Sequence, residues 1–332
     1  MSLTDRHHDD WMDQLLMHRA ETRGFITRPE ILDDGYGDRD IREAIALGLL
    51  IRLGAGLYAL SATYGPLSLE QKLATRSRAV FHRHRGAVVL THQSAAALHG
   101  LAMWGAPLDE VHVTRLDSGR GRHEAGVQHH VGTIDDDEII EIDGVLVSSA
   151  DRCIWELACA QSVESALVTA DAALHQQVVT PESLHETADQ FRTWQGSRSG
   201  RLSLSLADGR SESPGESRSR FLFWRHDIPK PDLQFRVLDR SGHLVARTDF
   251  AWELYRHLAE FDGRVKYDGT FTPLGFESVF DEKRREDLAR AESWGVSRII
   301  WSDLTADAAA TTARRIKADL ERSRSLYVRH IA

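Results

Sequence analysis

The sequence predicts a mixed α/β protein, α+β in overall character, assembled from separate parts rather than one continuous layer. Three observations predict it. Residues 9–60 read as three short amphipathic helices followed by a hairpin with a glycine turn. Residues 214–332 read as a helix, three antiparallel strands, a second helix and a closing strand, an αβββαβ order. Ahead of that unit, residues 186–213 shift in composition to Ser, Gly and Arg, the signature of a linker. The expected parts are therefore 1–62, a middle α+β region at 63–185, a linker at 186–213, and 214–332.

In the first part, Trp11, Leu15, Leu16 and His18 fall at helical spacing. A second short helix begins at Arg28, where Thr27 can cap and Pro29 fits the first turn. A third runs over Asp38–Leu47, with Ile41, Ala44, Ile45 and Leu49 as its apolar stripe and Gly48 as its stop. Leu50–Leu53, Gly54–Gly56 and Leu57–Leu60 then form the hairpin. Three helices and a hairpin give the order of a winged helix-turn-helix, which makes the third helix the reader of the major groove. Arg39 and Arg42, with Asp38, would face the bases, and Arg52 would reach phosphate from the wing. The alternative is that these arginines solvate a helix face, with Asp33, Asp34 and Asp40 close by. The pattern from Gly48 to Tyr58, with Arg52, Gly54 and Gly56 between, resembles the N-terminal domain of AbiEi-type antitoxins. That resemblance implies DNA binding by a transcriptional autorepressor.

The middle region should carry an amphipathic helix at Leu67–His84 and strands at Val88–Leu90, Val111–Thr114 and Gly126–Val131. A hairpin at Ile140–Val147 and helices at Asp151–Ala160 and Glu164–Gln176 should follow. The stretch from Thr91 to Gly100, THQSAAALHG, resembles the second part of AbiEi-like antitoxins. His92 and His99 flank Ser94, but their spacing matches no recognised metal motif, and Ser94 lacks a Gly-x-Ser-x-Gly elbow. They read as packing residues, and Asp135–Glu138 reads as a solvated turn. No chemistry is assigned to this region.

Chemistry is expected at Arg247–Lys266, where two antiparallel strands meet around Trp252–Glu253. Asp249 closes the first strand. Glu260 and Asp262 lie on the second, two residues apart and so on one face. Three carboxylates across one hairpin, followed by Lys266, form a candidate site for a hard divalent ion, Mg²⁺ or Mn²⁺. The alternative is a charged strand paired with Arg247 and Arg264, although clustered carboxylates would repel one another.

Glu216-Ser217, Asp249-Phe250 and Glu260-Phe261-Asp262-Gly263 together resemble the Vsr-like branch of the PD-(D/E)XK nuclease superfamily. Glu282–Leu288 is similar to the family's later helix, and a strand follows at Val296–Trp301. The resemblance covers roughly the last third of the chain and implies a restriction-endonuclease-like core. Thr248 stands in place of the family's Pro and Asp262 in place of its Lys. In that setting Asp249 and Glu260 would hold the ion beside a scissile phosphate, Glu216 would complete the shell, and Lys266 would supply charge near the nucleophile. Arg218, Lys283, Arg284 and Arg285 would clamp the nucleic-acid backbone.

Composition bounds these readings. At 332 residues, 42% hydrophobic and 27% charged, the chain is ordinary globular protein with room for two or three domains. No apolar run approaches the ~18 residues of a membrane span. The opening MSLTDRHHDDWMD has no apolar core of a signal peptide. Cys153 and Cys159, the two cysteines, suit neither a zinc knuckle nor a CxxC pair, and reduced thiols point to the cytoplasm. A net charge of −9 excludes indiscriminate coating of nucleic acid but allows a local basic surface, since screening acts over about 8–10 Å. The expected function is a metal-dependent nucleic-acid phosphodiesterase with a DNA-binding winged helix. The alternative is a non-enzymatic antitoxin-like autorepressor with a degenerate nuclease domain, a cognate toxin as partner, and a dimer on a palindromic operator.

Overall fold

The structure is a computed structural model, and it describes residues 14–116, 121–239, 241–263 and 290–328. The chain forms two units. One runs to Gln161 and takes back Glu182–Ser197, and the other holds Ser162–Pro181 and the chain from Arg198. The division therefore differs from the expected one, because the chain crosses between the units twice inside the middle region, after Gln161 and after Pro181.

The first unit opens with α1 (Gln14–Arg23), β1 (Ile26–Thr27), α2 (Arg28–Asp33), α3 (Asp38–Ala46), β2 (Leu50–Gly54) and β3 (Leu57–Leu60). Local chemistry sets the start of α2. The Thr27 hydroxyl accepts from the Glu30 N–H, the Glu30 carboxylate accepts from the Thr27 N–H at 2.9 Å, and Pro29 occupies the first turn. This reciprocal cap satisfies donors that a helix start leaves unpaired. Gly48, at φ +73°, ends α3 in the left-handed region that glycine tolerates. The strands pair antiparallel in the order β1-β3-β2, and Ile26, Ile31, Ile41, Ala44 and Leu50 fill the core beneath.

The same unit continues with α4 (Ser61–Tyr64), α5 (Leu69–Arg83), β4 (Val88–Leu90), α6 (His92–Leu98), β5 (Val111–Arg115), β6 (Arg122–Glu124) and β7 (Val127–His130). Then come β8 (Ile139–Ile142), β9 (Val145–Ser148) and α7 (Ala150–Ala160). Six strands make a mixed sheet in the order β6-β7-β5-β4-β9-β8, with β5–β7 and β4–β9 parallel. After α8 (Val163–His175), which belongs to the other unit, the chain returns as α9 (Pro181–Gln190).

The expected linker at 186–213 is not a linker. It contains the end of α9 and all of α10 (Ser197–Leu206), whose Ser203 and Leu204 are buried. Gly196 joins the two at φ +85°, where a Cβ would lie 2.0 Å from the Cys159 carbonyl oxygen. Tertiary packing here overrides a composition poor in helix formers.

The second unit contains α8, α10, α11 (Pro214–Arg225), β10 (Asp232–Leu238), β11 (Leu244–Trp252), β12 (His257–Asp262), β13 (Gly295–Ile300) and α12 (Ala306–Ser323). Its sheet order is β10-β11-β12-β13, antiparallel except for the parallel β12–β13 pair. Phe223 of α11 packs edge-on against Phe250 and Trp252, with ring centres 5.2 Å away in both cases. Strand β11 runs on through Trp252, and a 3-10 turn at Glu253–Tyr255 precedes β12, so Leu254 is an exposed turn residue rather than the start of a strand. The closing helix α12, buried along Ala313, Ile316 and Leu320, lies beyond the expected order. The expected helix at Glu282–Leu288 lies outside the described residues. Among the described residues, no helix is long and apolar enough to cross a membrane.

Candidate functional site

The sequence-predicted carboxylates are positioned by a close approach of α11 to the sheet. A Cβ at Gly215 would fall 2.0 Å from a ring carbon of Phe261 on β12, so only glycine lets the start of α11 sit there. The next residue is Glu216, in the first turn, where the helix dipole favours an acid. Its Oε1 accepts from Ser213 Oγ at 2.8 Å, and its Oε2 accepts from the Glu212 N–H at 3.0 Å and from Gln234 Nε2 at 2.9 Å.

Asp249 lies on β11, and its Oδ2 accepts from the Phe261 N–H at 2.7 Å. Burial, reinforced by the charges of Glu216 and Glu212, pushes the Asp249 carboxyl up to about 6. Burial also raises Glu216. Arg247 is turned to Glu212 instead. The β10–β11 ladder is interrupted beside Asp249. Pairs form at Leu233↔Phe250 and Phe235↔Thr248, and the intervening Gln234 takes φ +53°. A non-glycine residue held in that region is strained, and such strain concentrates at functional sites.

Glu260 and Asp262 follow on β12, in register with Arg298 and Ile300 of β13. The fold thus couples Asp249 to Glu216 and keeps Glu260 and Asp262 on the neighbouring strand. Among the described residues, no three of these four carboxylates bring their oxygens within 4.8 Å of one another. Lys266, Lys283, Arg284 and Arg285 lie outside the described residues. Arg218 is not a backbone clamp. It is buried, with Nε donating to Glu164 Oε1 at 2.6 Å, Nη2 donating to the Leu304 carbonyl, and the guanidinium over the Trp301 ring. A guanidinium spent on internal acceptors cannot reach phosphate.

In the first unit, Arg39 and Arg42 are exposed on α3, and Arg52 is exposed on β2 of the hairpin. Arg42 Nε donates to the Asp38 carbonyl at 3.2 Å, and Arg52 Nε donates to the Gly54 carbonyl at 3.2 Å. Asp38 does not point at bases. Its carboxylate takes both arms of the Arg28 guanidinium at 2.7 Å and ties α3 to α2.

A third constellation escaped the sequence reading. His92, His112 and His130 each bring a ring nitrogen within 4.8 Å of the other two, the one such set of three among the described residues. Because β5 and β7 are parallel neighbours with Thr114 opposite His130, His112 and His130 share a face of the sheet. His112 Nδ1 lies 2.8 Å from His130 Nε2, and His92 stacks on His130 with ring centres 3.7 Å apart. Burial pushes His112 down to about 3, with the neighbouring imidazoles adding to it, and pushes His92 and His130 down to about 4. His92 itself has φ +51°. Its N–H donates to Glu156 Oε2 at 2.9 Å, and its carbonyl accepts from Cys153 Sγ at 3.3 Å. His99 does pack as expected, with Nε2 2.9 Å from the Ser148 carbonyl oxygen. The only sequence signal was the parity of His112 and His130 on their strands, and it has no meaning until the β5–β7 pairing is known.

No family model matches the chain. It is 28% identical to the uncharacterized protein Rv2248 of Mycobacterium tuberculosis strain H37Rv, over 280 residues that make up 83% of this chain and 94% of that protein. The uncharacterized protein MT2308 of strain CDC 1551 aligns with the same values. The crystal structure of the RV2827C protein from Mycobacterium tuberculosis superposes with a TM-score of 0.38 at 14% identity, covering 71% of this chain and 90% of that one.

Proposed function

We propose that the protein is a metal-dependent nucleic-acid phosphodiesterase, with its chemistry at Asp249, Glu216 and Glu260 and its DNA contacts on the winged-helix-like N-terminal part. The observation that carries this reading is the Asp249–Glu216 pair. Burial raises both carboxyls, the Glu216 charge adds to the rise at Asp249, and a divalent cation would relieve that repulsion. The strained Gln234 beside them and the glycine-dependent seat of α11 support the same site. The antiparallel β10-β11-β12 order with a parallel fourth strand agrees with the restriction-endonuclease-like core that the motifs resemble.

Mg²⁺ or Mn²⁺, held by Asp249 with Glu260 or Glu216, would stabilise charge on the phosphate and acidify a bound water. The protein's own contribution is positional. The Phe261 N–H fixes one Asp249 oxygen and leaves the other to a ligand. Ser213 on one oxygen, and Gln234 with the Glu212 N–H on the other, fix the orientation of Glu216. Arg39, Arg42 and Arg52 would meet phosphate and base edges.

The test is cleavage of supercoiled and linear duplex, single-stranded and branched DNA, and RNA, with Mg²⁺, Mn²⁺ or chelator. Cation-dependent cutting of at least one substrate is expected, and it should be lost in Asp249→Ala and Glu260→Ala. Cutting retained in both variants would remove the reading.

A second reading is favoured by two observations. Glu216 is engaged as the capping partner of Ser213, a structural role, and Asp262 stands where the superfamily carries Lys. On that reading the protein is an antitoxin-like autorepressor, with a cognate toxin and a dimeric operator complex. It predicts sequence-specific binding to its own promoter and no cleavage.

A further inference from the structure

We infer that His92, His112 and His130 form a binding site for a borderline d-block cation of the Zn²⁺ class, distinct from the hard-ion site proposed in the second unit. Imidazole suits Zn²⁺, Co²⁺ and their neighbours, whereas Mg²⁺ prefers oxygen. The ligands come from three elements whose geometry is fixed independently. His112 and His130 sit on adjacent parallel strands, and His92 sits at the junction of β4 and α6.

Zn–N bonds near 2.0–2.1 Å place tetrahedral ligand atoms roughly 3.4 Å apart. His112 Nδ1 and His130 Nε2 are closer than that, at 2.8 Å, and the three ring nitrogens all lie within 4.8 Å of one another. Closing the site would open the His112–His130 pair by roughly 0.6 Å and turn the stacked His92 ring towards it. Without a cation, two ring nitrogens at 2.8 Å must share a single proton.

Two features of His92 fit a ligand rather than a packing residue. Its left-handed backbone is held at both ends, by Glu156 on the N–H and Cys153 on the carbonyl. Its Nδ1 lies 3.4 Å from Glu156 Oε2 and makes no hydrogen bond. A carboxylate beside a ligating imidazole orients the ring and raises its basicity. Glu156 is itself anchored by Arg152 Nε at 3.0 Å, and Arg152 also pairs with Glu138 at 2.7 Å. The Arg152 guanidinium lies over Phe191 and Trp194, at 4.6 and 4.4 Å from the ring centres.

His92 and His130 open onto a cavity of about 690 Å³ lined by these groups and by Thr133 and Cys159. Three protein ligands beside a solvent-reachable cavity leave a fourth position for water or a small exchangeable ligand, the arrangement of an open rather than a closed zinc site.

Co²⁺ is the probe, titrated into untagged, chelator-stripped full-length protein and followed by visible d–d absorption, then displaced by Zn²⁺. Wild type and the His99→Gln control should bind one equivalent with tetrahedral-type absorption, and Zn²⁺ should raise their Tm. His130→Gln and His112→Asn should weaken binding by about tenfold or more and lose the Tm shift. Circular dichroism checks that each variant is folded. Should His112→Asn fail that check, His130→Gln and the wild-type titration still decide. No d–d absorption in wild type, or equal binding by wild type and His130→Gln, would overturn the site.

Discussion

The histidine cluster of the first unit and the carboxylate pair of the second are both buried ionisable sites, yet burial acts on them in opposite senses. Desolvation disfavours charge in either case. For imidazole the surviving form is the neutral base, which already presents a lone pair to a metal at neutral pH. For a carboxylate the favoured form is the protonated acid, a poor ligand, so Asp249 at about 6 must lose its proton to bind a cation. On the inferred assignment, the histidine site would therefore be set for its ion at neutral pH. The carboxylate site would be competent only where Asp249 is ionised, so its cation affinity should fall steeply below pH 6.

The sharpest way to break this comparison is to remove Glu156, the acid behind the histidines. Glu156→Ala leaves Arg152 buried with Glu138 alone, and loss of one partner from a buried ion pair costs on the order of 3–5 kcal/mol. Urea unfolding should report it. A loss below about 1 kcal/mol would mean that Glu138 alone suffices.

The pH dependence should separate the two sites by sign. The folded values of His112 and His130, about 3 and about 4, lie below the ordinary 6.5, so the unfolded chain binds more protons between those limits. Stability from these rings is present above pH 6.5 and is lost as pH falls towards 4. His112→Asn should flatten that acid limb by roughly 2 kcal/mol. Groups elsewhere titrate in the same window, notably His257, buried between Ser323 and Ser297, so the slope difference between wild type and variant is the quantity to measure.

Asp249 runs the other way. Its folded value of about 6 exceeds the ordinary 3.8, so the folded state is penalised as pH rises from 4 to 6, and the penalty is complete above 6. Asp249→Asn keeps an acceptor for the Phe261 N–H and removes the charge. It should stabilise the protein by roughly 1–2 kcal/mol at pH 7, with no gain at pH 4. Thermal melts at the two pH values check this, and a destabilised variant at pH 7 would show that Asp249 is structurally paired.

How much was legible follows from the range of the signals. The start of α2 was readable because Thr27, Pro29 and Glu30 act within one turn. The acid-bearing hairpin was readable because strand alternation is local. Helices α9 and α10 were not, since α9 straddles the composition shift and the Ser-rich α10 is held helical by burial of Leu204 and the tight contact at Gly196. Arg218 was misassigned because a buried and an exposed arginine look alike in a sequence. The histidine site depended on a parallel pairing of β5 and β7 with β6 on the far side of β7, and no local pattern reveals such a pairing.

The smallest expected effect concerns DNA. Arg39→Ala, Arg42→Ala and Arg52→Ala should each reduce the salt dependence of duplex binding by about one unit of slope, while metal binding at either site stays unchanged. Fluorescence anisotropy across a salt series measures it. Unchanged slopes would leave those arginines as solvated surface.

The most direct test is nicking of supercoiled plasmid with Mn²⁺ by wild type, Asp249→Asn and His130→Gln in parallel. Cutting by wild type and His130→Gln, reduced by roughly a hundredfold or more in Asp249→Asn, is the predicted result. Cutting that persists in Asp249→Asn but disappears in His130→Gln would place the chemistry at the histidines and contradict the account.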